Sequence, residues 1–479
     1  MRHPLPVSLI LLSLTMQANA QTEEQRSTLA DQQEVAVTIY NENLALIKDQ
    51  RKVQLKRGTS NLAFRDVSAH MRAETALLRS TSAPGSISVL EQNFDFDLLT
   101  PQKLLEKYVN RNVSIIRTNT ATGVETTEQA QVLSANSGVV LKIGDRIETG
   151  IPGRIIYGDV PANLRDRPTL VMQLDNTGNA QQDLELSYLT SGLAWKADYV
   201  VELNASDDKL DISGWVTLTN TSGATYRNAK LQLVAGDVNQ VAAQADKAVA
   251  PAAFAGKQFL HRESAMAEES LFEYHLYTLG RPTTIAENQT KQVSLLSASG
   301  VPARKQLLLK GNDYYYQSSY GDLGQKMKVG VFMEFDNKEA AHMGMPLPKG
   351  VVRVYKKDNA GNAQFIGEDR VDHTPKNETV RLKLGDAFDV TADKKQTDFK
   401  KLAGTGKYNY VFESAYEVVL KNAKKEAVTV TVQEPMPGDW QILSQSHPST
   451  KSASNTAVWN ISVPAEGSTT LVYRSLVKY

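Results

Sequence analysis

Apolar and polar positions alternate with a period of two along most of the chain, the pattern of strands with two unlike faces. Val35, Val37 and Ile39 alternate with Ala36, Thr38 and Tyr40. Asn41 to Asn43 break the run, residues 44–47 resume it, and Val53 and Leu55 carry it to a turn at Arg57, Gly58 and Thr59. From Leu184 the strands lengthen and the alternation is cleaner, with Tyr199, Val201 and Leu203 on one face. Residues 215–219 are predicted to pair with residues 229–234 across the turn formers of residues 220–228. The same idiom returns near the carboxy terminus, where residues 417–421 precede a polar turn and the alternating Val428, Val430 and Val432. Val216-Thr217-Leu218-Thr219-Asn220 and Val418-Val419-Leu420-Lys421-Asn422 echo one another, as two related sandwich halves or domains would. With residues 459–463 and 470–473 as half-buried strands, this end reads as an immunoglobulin-like sandwich.

Three stretches depart from the pattern. Thr100 caps a helix with Pro101 at its first position, and Leu104, Leu105, Tyr108 and Val109 follow at helical spacing. Short strands at 113–116, 139–143, 154–157 and 170–174 surround it, which predicts a small α+β or barrel-like insertion. Residues 21–34 are polar and aperiodic, and residues 241–270 hold ten alanines without strand periodicity. The expected fold is mainly β, a multi-domain set of antiparallel β-sandwiches. A signal peptide occupies residues 1–20 and a disordered leader 21–34. An N-terminal β-rich region spans 35–182, with its insertion at about 95–175. A central sandwich region joins 183–240 to 271–395 around a flexible Ala-rich segment at 241–270. The carboxy-terminal sandwich covers 396–479.

The signal-peptide reading rests on Arg2, the short apolar run of residues 5–16, and the small residues Ala18 and Ala20 flanking Asn19. That run is too short to span a membrane, and no second run approaches the length. The expectation is a mature chain starting at Gln21, periplasmic or secreted. Lys plus Arg number 53 and so do Asp plus Glu, which argues against nucleic acid as a partner. Cysteine is absent, so disulfides, thiol nucleophiles and thiolate metal sites are excluded together. Stability must come from packed cores.

Candidate chemistry concentrates near Arg353 and in residues 368–378. Arg353 interrupts an apolar strand, where it can reach solvent, pair with a carboxylate, or fix an anion through its planar fork. Asp369, Asp372 and His373 lie close together, with Asp389 following, and such groups can hold a cation or position a water. Their spacing matches no standard ligand pattern, and His373-Thr374-Pro375 also suits a pinned turn. Glu273 and His275 form a fainter pair. Trp195 and Trp215 are expected in the core, and Tyr314, Tyr315 and Tyr316 in an edge strand. No His-Glu-x-x-His, Gly-x-Ser-x-Gly or Gly-x-Gly-x-x-Gly motif occurs, and Gly404-Thr405-Gly406-Lys407 lacks the rest of a phosphate loop. No cofactor is implied.

Four stretches resemble the bacterial family known as domain of unknown function 4139, which includes proteins of the mucoidy inhibitor A type. They are residues 37–47 with 66–69, residues 188–199 with 214–215 and 231–237, residues 346–355, and residues 373–375 with 384–390. The second contains Tyr188-Leu189-Thr190-Ser191-Gly192-Leu193-Ala194-Trp195, and the third Pro346-Leu347-Pro348-Lys349-Gly350. The resemblance implies a mostly β fold and no established chemistry. Members of the mucoidy inhibitor type carry a coiled coil ahead of this domain, whereas no heptad run is present here. The expected function is a non-enzymatic binding or scaffold role in the cell envelope, with an envelope protein or polysaccharide as partner. The alternative is a metal-dependent or other hydrolase with its site near Arg353, Asp372 and His373.

Overall fold

A computed structural model describes residues 24–41, 43–161, 164–236, 238–239, 266–404 and 406–479. The expected signal peptide, residues 241–265 of the Ala-rich segment, and Thr405 lie outside them. The described chain is mainly β, in open sheets of thirteen, eight, five and four strands.

Alternation fills the largest core. On the strand Leu193–Leu203, the side chains of Leu193, Trp195, Ala197, Tyr199, Val201 and Leu203 all point inward and are buried. Across the core stand Val37 and Ile39, Ala45 and Ile47, and Leu184 and Leu186, from three strands of the eight-stranded sheet. Gly214 makes room for the Tyr199 ring, since a Cβ there would sit 3.2 Å from it and 2.8 Å from Leu296. The Tyr199 hydroxyl, buried with its ring, donates to Pro348 O at 2.8 Å. Trp195 belongs to this core, but Trp215 stands half-buried on the opposite face of its strand, out of phase with Gly214 and Val216.

The second core lies between two layers at the carboxy-terminal end. Tyr416, Val418, Leu420, Leu471 and Tyr473 come from one layer, and Val430, Val432, Trp459, Ile461 and Leu309 from the other. Three long strands pass from one core to the next: Gln289–Lys310 of 22 residues, Asp322–Asp336 of 15 and Thr379–Leu402 of 24. The first pairs with Lys209–Asn220 along its first half and with Asp322–Asp336 and Val428–Pro435 along its second. The boundary expected at 395/396 therefore falls inside a single strand, because the ladder is unbroken there.

Other expectations are corrected. The strand Lys209–Asn220 does not pair with Tyr226–Ala235. It pairs with Leu193–Leu203 and Gln289–Lys310, while Tyr226–Ala235 crosses to the facing sheet and runs parallel to Gln32–Tyr40. Alternation records which face is buried and not which strand lies alongside, so a hairpin and a crossover read alike. The supposed leader is ordered from Glu24. Glu24–Ser27 pairs parallel to Gly58–Arg65, and Thr28 and Asp31 form a reciprocal cap on the short helix Leu29–Asp31. Met266 is buried and Ala267–Leu271 forms a strand, so the Ala-rich expectation fails for residues 266–270. Asp313–Tyr316 is one turn of 3₁₀ helix, not an edge strand, with Tyr315 and Tyr316 buried and Tyr314 exposed.

The insertion is an open five-stranded sheet and not a barrel, because its edge strands Arg146–Thr149 and Arg154–Ile156 do not pair. The helix Pro101–Lys107, capped by Thr100 as predicted, covers one face through Leu105, with the adjoining Tyr108. Thr169–Asn176 lies outside this unit, paired with Gly58–Arg65 and Ile87–Asp95 in the four-stranded sheet.

Candidate functional site

Arg353 lies on the strand Gly350–Lys357, between Leu193–Leu203 on one side and Ala363–Val371 on the other. Its Nη1 donates to Asp198 Oδ1 at 3.0 Å, and its Nε is 3.3 Å from Glu368 Oε2. Asp198 is nearly buried, and its other oxygen accepts from Thr217 Oγ1 at 2.8 Å. Gln292 Nε2 donates to Thr217 in turn, at 3.1 Å. Glu368, Arg353, Asp198, Thr217 and Gln292 thus form a polar row across five adjacent strands. The guanidinium takes the carboxylate-pairing option, with its charge opposed on both sides.

Arg353 and Asp369 line one shallow depression of about 500 Å³ with Val351, Glu368 and Arg370. Asp369, opposite Val352 in the ladder and so on the other face from Arg353, accepts from the backbone N–H groups of Lys383, at 2.6 Å, and Arg370, at 2.8 Å. It clamps one strand to the next. His373 sits past the strand end, where Nδ1 accepts from Lys349 N–H at 3.3 Å and Nε2 lies 3.4 Å from the Asn41 amide. Asp372 is exposed, and its backbone carbonyl accepts from Thr374 Oγ1 at 2.8 Å. Asp389 is exposed beside the second core, its carbonyl accepting from Ala423 N–H at 2.8 Å. Arg353 and Asp369 border the same depression without touching, and Asp389 lies apart from both. Glu273 lies in a turn, and His275 instead meets Glu268 at 2.8 Å. Among the described residues no three His, Cys, Asp or Glu gather as a metal cluster, and no helix is long and apolar enough to cross a membrane.

A second polar group lies inside the carboxy-terminal core. Lys394 and Glu434 have side chains only 1% and 0% exposed, with Nζ 2.6 Å from Oε1. The rings of Tyr315 and Tyr416 stand 4.4 and 5.1 Å from the ammonium, giving it cation–π contacts in a dry site. Tyr316 Oη donates to Glu434 Oε2 at 2.9 Å and lies 2.9 Å from Tyr473 Oη. Burial pushes the Lys394 ammonium below its ordinary range and holds the Tyr316 and Tyr473 hydroxyls well above theirs. Sequence reasoning missed this cluster, although a signal existed. Lys394 is in phase with Val390 and Ala392, and Glu434 with Val430 and Val432, all facing the core.

These features define a multi-sheet β protein with two sandwich cores on a shared ladder. Residues 184–479 match the sequence profile described as domain of unknown function 4139, and the chain belongs to that family. No curated protein matches the chain.

Proposed function

We propose that the protein is an exported, non-enzymatic binding or scaffold module of the bacterial cell envelope, with an envelope protein or polysaccharide as partner. The observation that carries this reading is the use made of the candidate residues. Arg353, Asp369 and His373 each tie one strand or loop to another, in a body stiffened by strands that run through both cores. Residues built into a scaffold in this way are suited to presenting surfaces. Export to the periplasm or beyond is proposed from residues 1–20, with Gln21 as the mature amino terminus.

Cell fractionation with terminal sequencing tests export, and a chain retaining residues 1–20 in the inner membrane would refute it. Crosslinking in intact envelopes with mass spectrometry tests binding, and the expected result is one reproducible partner. Elemental analysis and assays with peptide and glycan substrates test the hydrolase alternative. One equivalent of metal, or turnover, lost on His373→Ala would overturn the binding reading.

A further inference from the structure

We propose that Lys394 and Glu434 condense into an intramolecular isopeptide bond that staples the two layers of the carboxy-terminal sandwich. Lys394 lies on Thr379–Leu402 in one layer, and Glu434 on Val428–Pro435 in the other. Nζ is already 2.6 Å from Oε1, in a site closed to solvent. Gly311 closes the carboxylate side, since a Cβ at that position would fall 2.1 Å from Oε2. The pair cannot separate without opening the core.

The chemistry balances without a co-reactant. Proton transfer from the ammonium to the carboxylate leaves a neutral amine and a carboxylic acid, the forms a dry site favours. The Nζ lone pair forms a bond to Cδ, and the bond from Cδ to Oε2 breaks. Oε2 departs as water, carrying the carboxyl proton and one proton from the attacking nitrogen. Oxidation states do not change. Two features of the cluster fit this course. The nucleophile approaches beside Oε1, while the Tyr473–Tyr316 hydroxyl pair contacts Oε2, the oxygen that must gain protons. Both hydroxyls are kept protonated by burial, so the pair can relay a proton without forming a tyrosinate. Fixed juxtaposition supplies the drive, because held reactants reach effective concentrations of about 10⁵ M or more. In a chain with no cysteine, such a bond provides the covalent crosslink that disulfides cannot.

Intact mass spectrometry of the denatured full chain is the test, followed by proteolytic mapping. The expected wild-type mass is one water below the value calculated for its observed amino terminus. Mapping should recover one branched peptide containing both Lys394 and Glu434. Lys394→Arg, which keeps the charge, should return to its full calculated mass, and Tyr316→Phe should give a mixture of linked and unlinked chains. A wild-type chain at full mass, with the Lys394 and Glu434 peptides recovered separately, would overturn the proposal whether or not any variant folds.

Discussion

Asn220 and Asn422 hold the same hydrogen-bond pattern at equivalent points of the two cores. Each is buried and ends a strand. Each Nδ2 donates at 2.8 Å to the carbonyl four residues on, Ala224 O in one case and Glu426 O in the other. A second bond reaches a distant segment, Ile285 O at 3.1 Å and Pro464 O at 2.9 Å. Each Oδ1 accepts from the N–H two residues on, Ser222 and Lys424, at 3.0 Å. After each Asn the chain crosses to the facing layer and adds a strand parallel to a neighbour. The echo in the sequence is a repeated crossover, and the asparagine is its pivot.

Asn422→Ala should therefore cost about 2 kcal/mol, because the buried amide gives up its bonds to the Glu426 and Pro464 carbonyls and to the Lys424 N–H. Asn422→Asp should cost nearly as much, since a carboxylate keeps the acceptor and loses both donors. Urea unfolding of the two variants measures this. An Asp variant as stable as wild type would mean that the donor bonds contribute little.

The polar row predicts an unequal pair of substitutions. Asp198→Ala leaves Arg353 with only the exposed Glu368 and removes the acceptor of Thr217, so a loss of about 2–4 kcal/mol is expected. Asp372→Asn should change stability by less than about 0.5 kcal/mol, since that side chain is exposed. Thermal melts of both chains suffice. Equal losses would contradict the assignment of Asp198 as the buried end of the row.

Much of the β architecture was legible because burial leaves a period of two, and Thr100 with Pro101 marked its helix by local chemistry alone. Strand partners were not legible. The segment after Asn220 and the unbroken ladder across 395/396 depend on contacts between distant residues, which alternation does not encode. Residues 24–31 escaped notice because they are held by polar bonds, namely the Thr28–Asp31 cap and the paired contacts of Arg165 with Glu24. For the site, Arg353 and Asp369 proved to hold separate strand contacts, and Asp198, the most buried member of the polar row, looked like an ordinary outward residue of its strand. Charged residues in the apolar phase were the stronger signal. Lys394, Glu434, Asp49 and Arg51 all sit where a core residue is due.

Acid should loosen the amino-terminal end. Glu24 is held below its ordinary value of 4.5, first by its hydrogen bond to Arg165. The folded state therefore binds fewer protons than the unfolded chain at this group. Its stabilisation is complete above the unfolded value and is lost as pH falls through the lower, folded one. Arg165→Met should be less stable than wild type at neutral pH, with the gap narrowing as pH falls below 4.5. Urea midpoints across that range provide the check, and a gap independent of pH would show that Arg165 acts through packing alone.

Arg51 should not tolerate lysine. It is fully buried, with Nε and Nη2 on Asp49 Oδ2 at 3.1 and 2.7 Å and Nη1 on Ser27 O at 3.1 Å. Its guanidinium also lies 3.8 Å from the centre of the Phe64 ring. A lysine ammonium cannot satisfy the carboxylate and the Ser27 carbonyl from one position, so Arg51→Lys should cost about 3 kcal/mol. The loss should be local first. Ser27 closes the strand Glu24–Ser27, and hydrogen exchange there should rise before that of Leu44–Gln54. Joint replacement by Asp49→Leu and Arg51→Met removes both charges and should recover most of the stability, because an apolar pair of similar size needs no counter-charge. Recovery of stability without recovery of protection at Glu24–Ser27 is the expected outcome, since the double variant still lacks the bond to Ser27 O. Full protection in that variant would show that the strand is held by its backbone ladder with Gly58–Arg65 and not by Arg51.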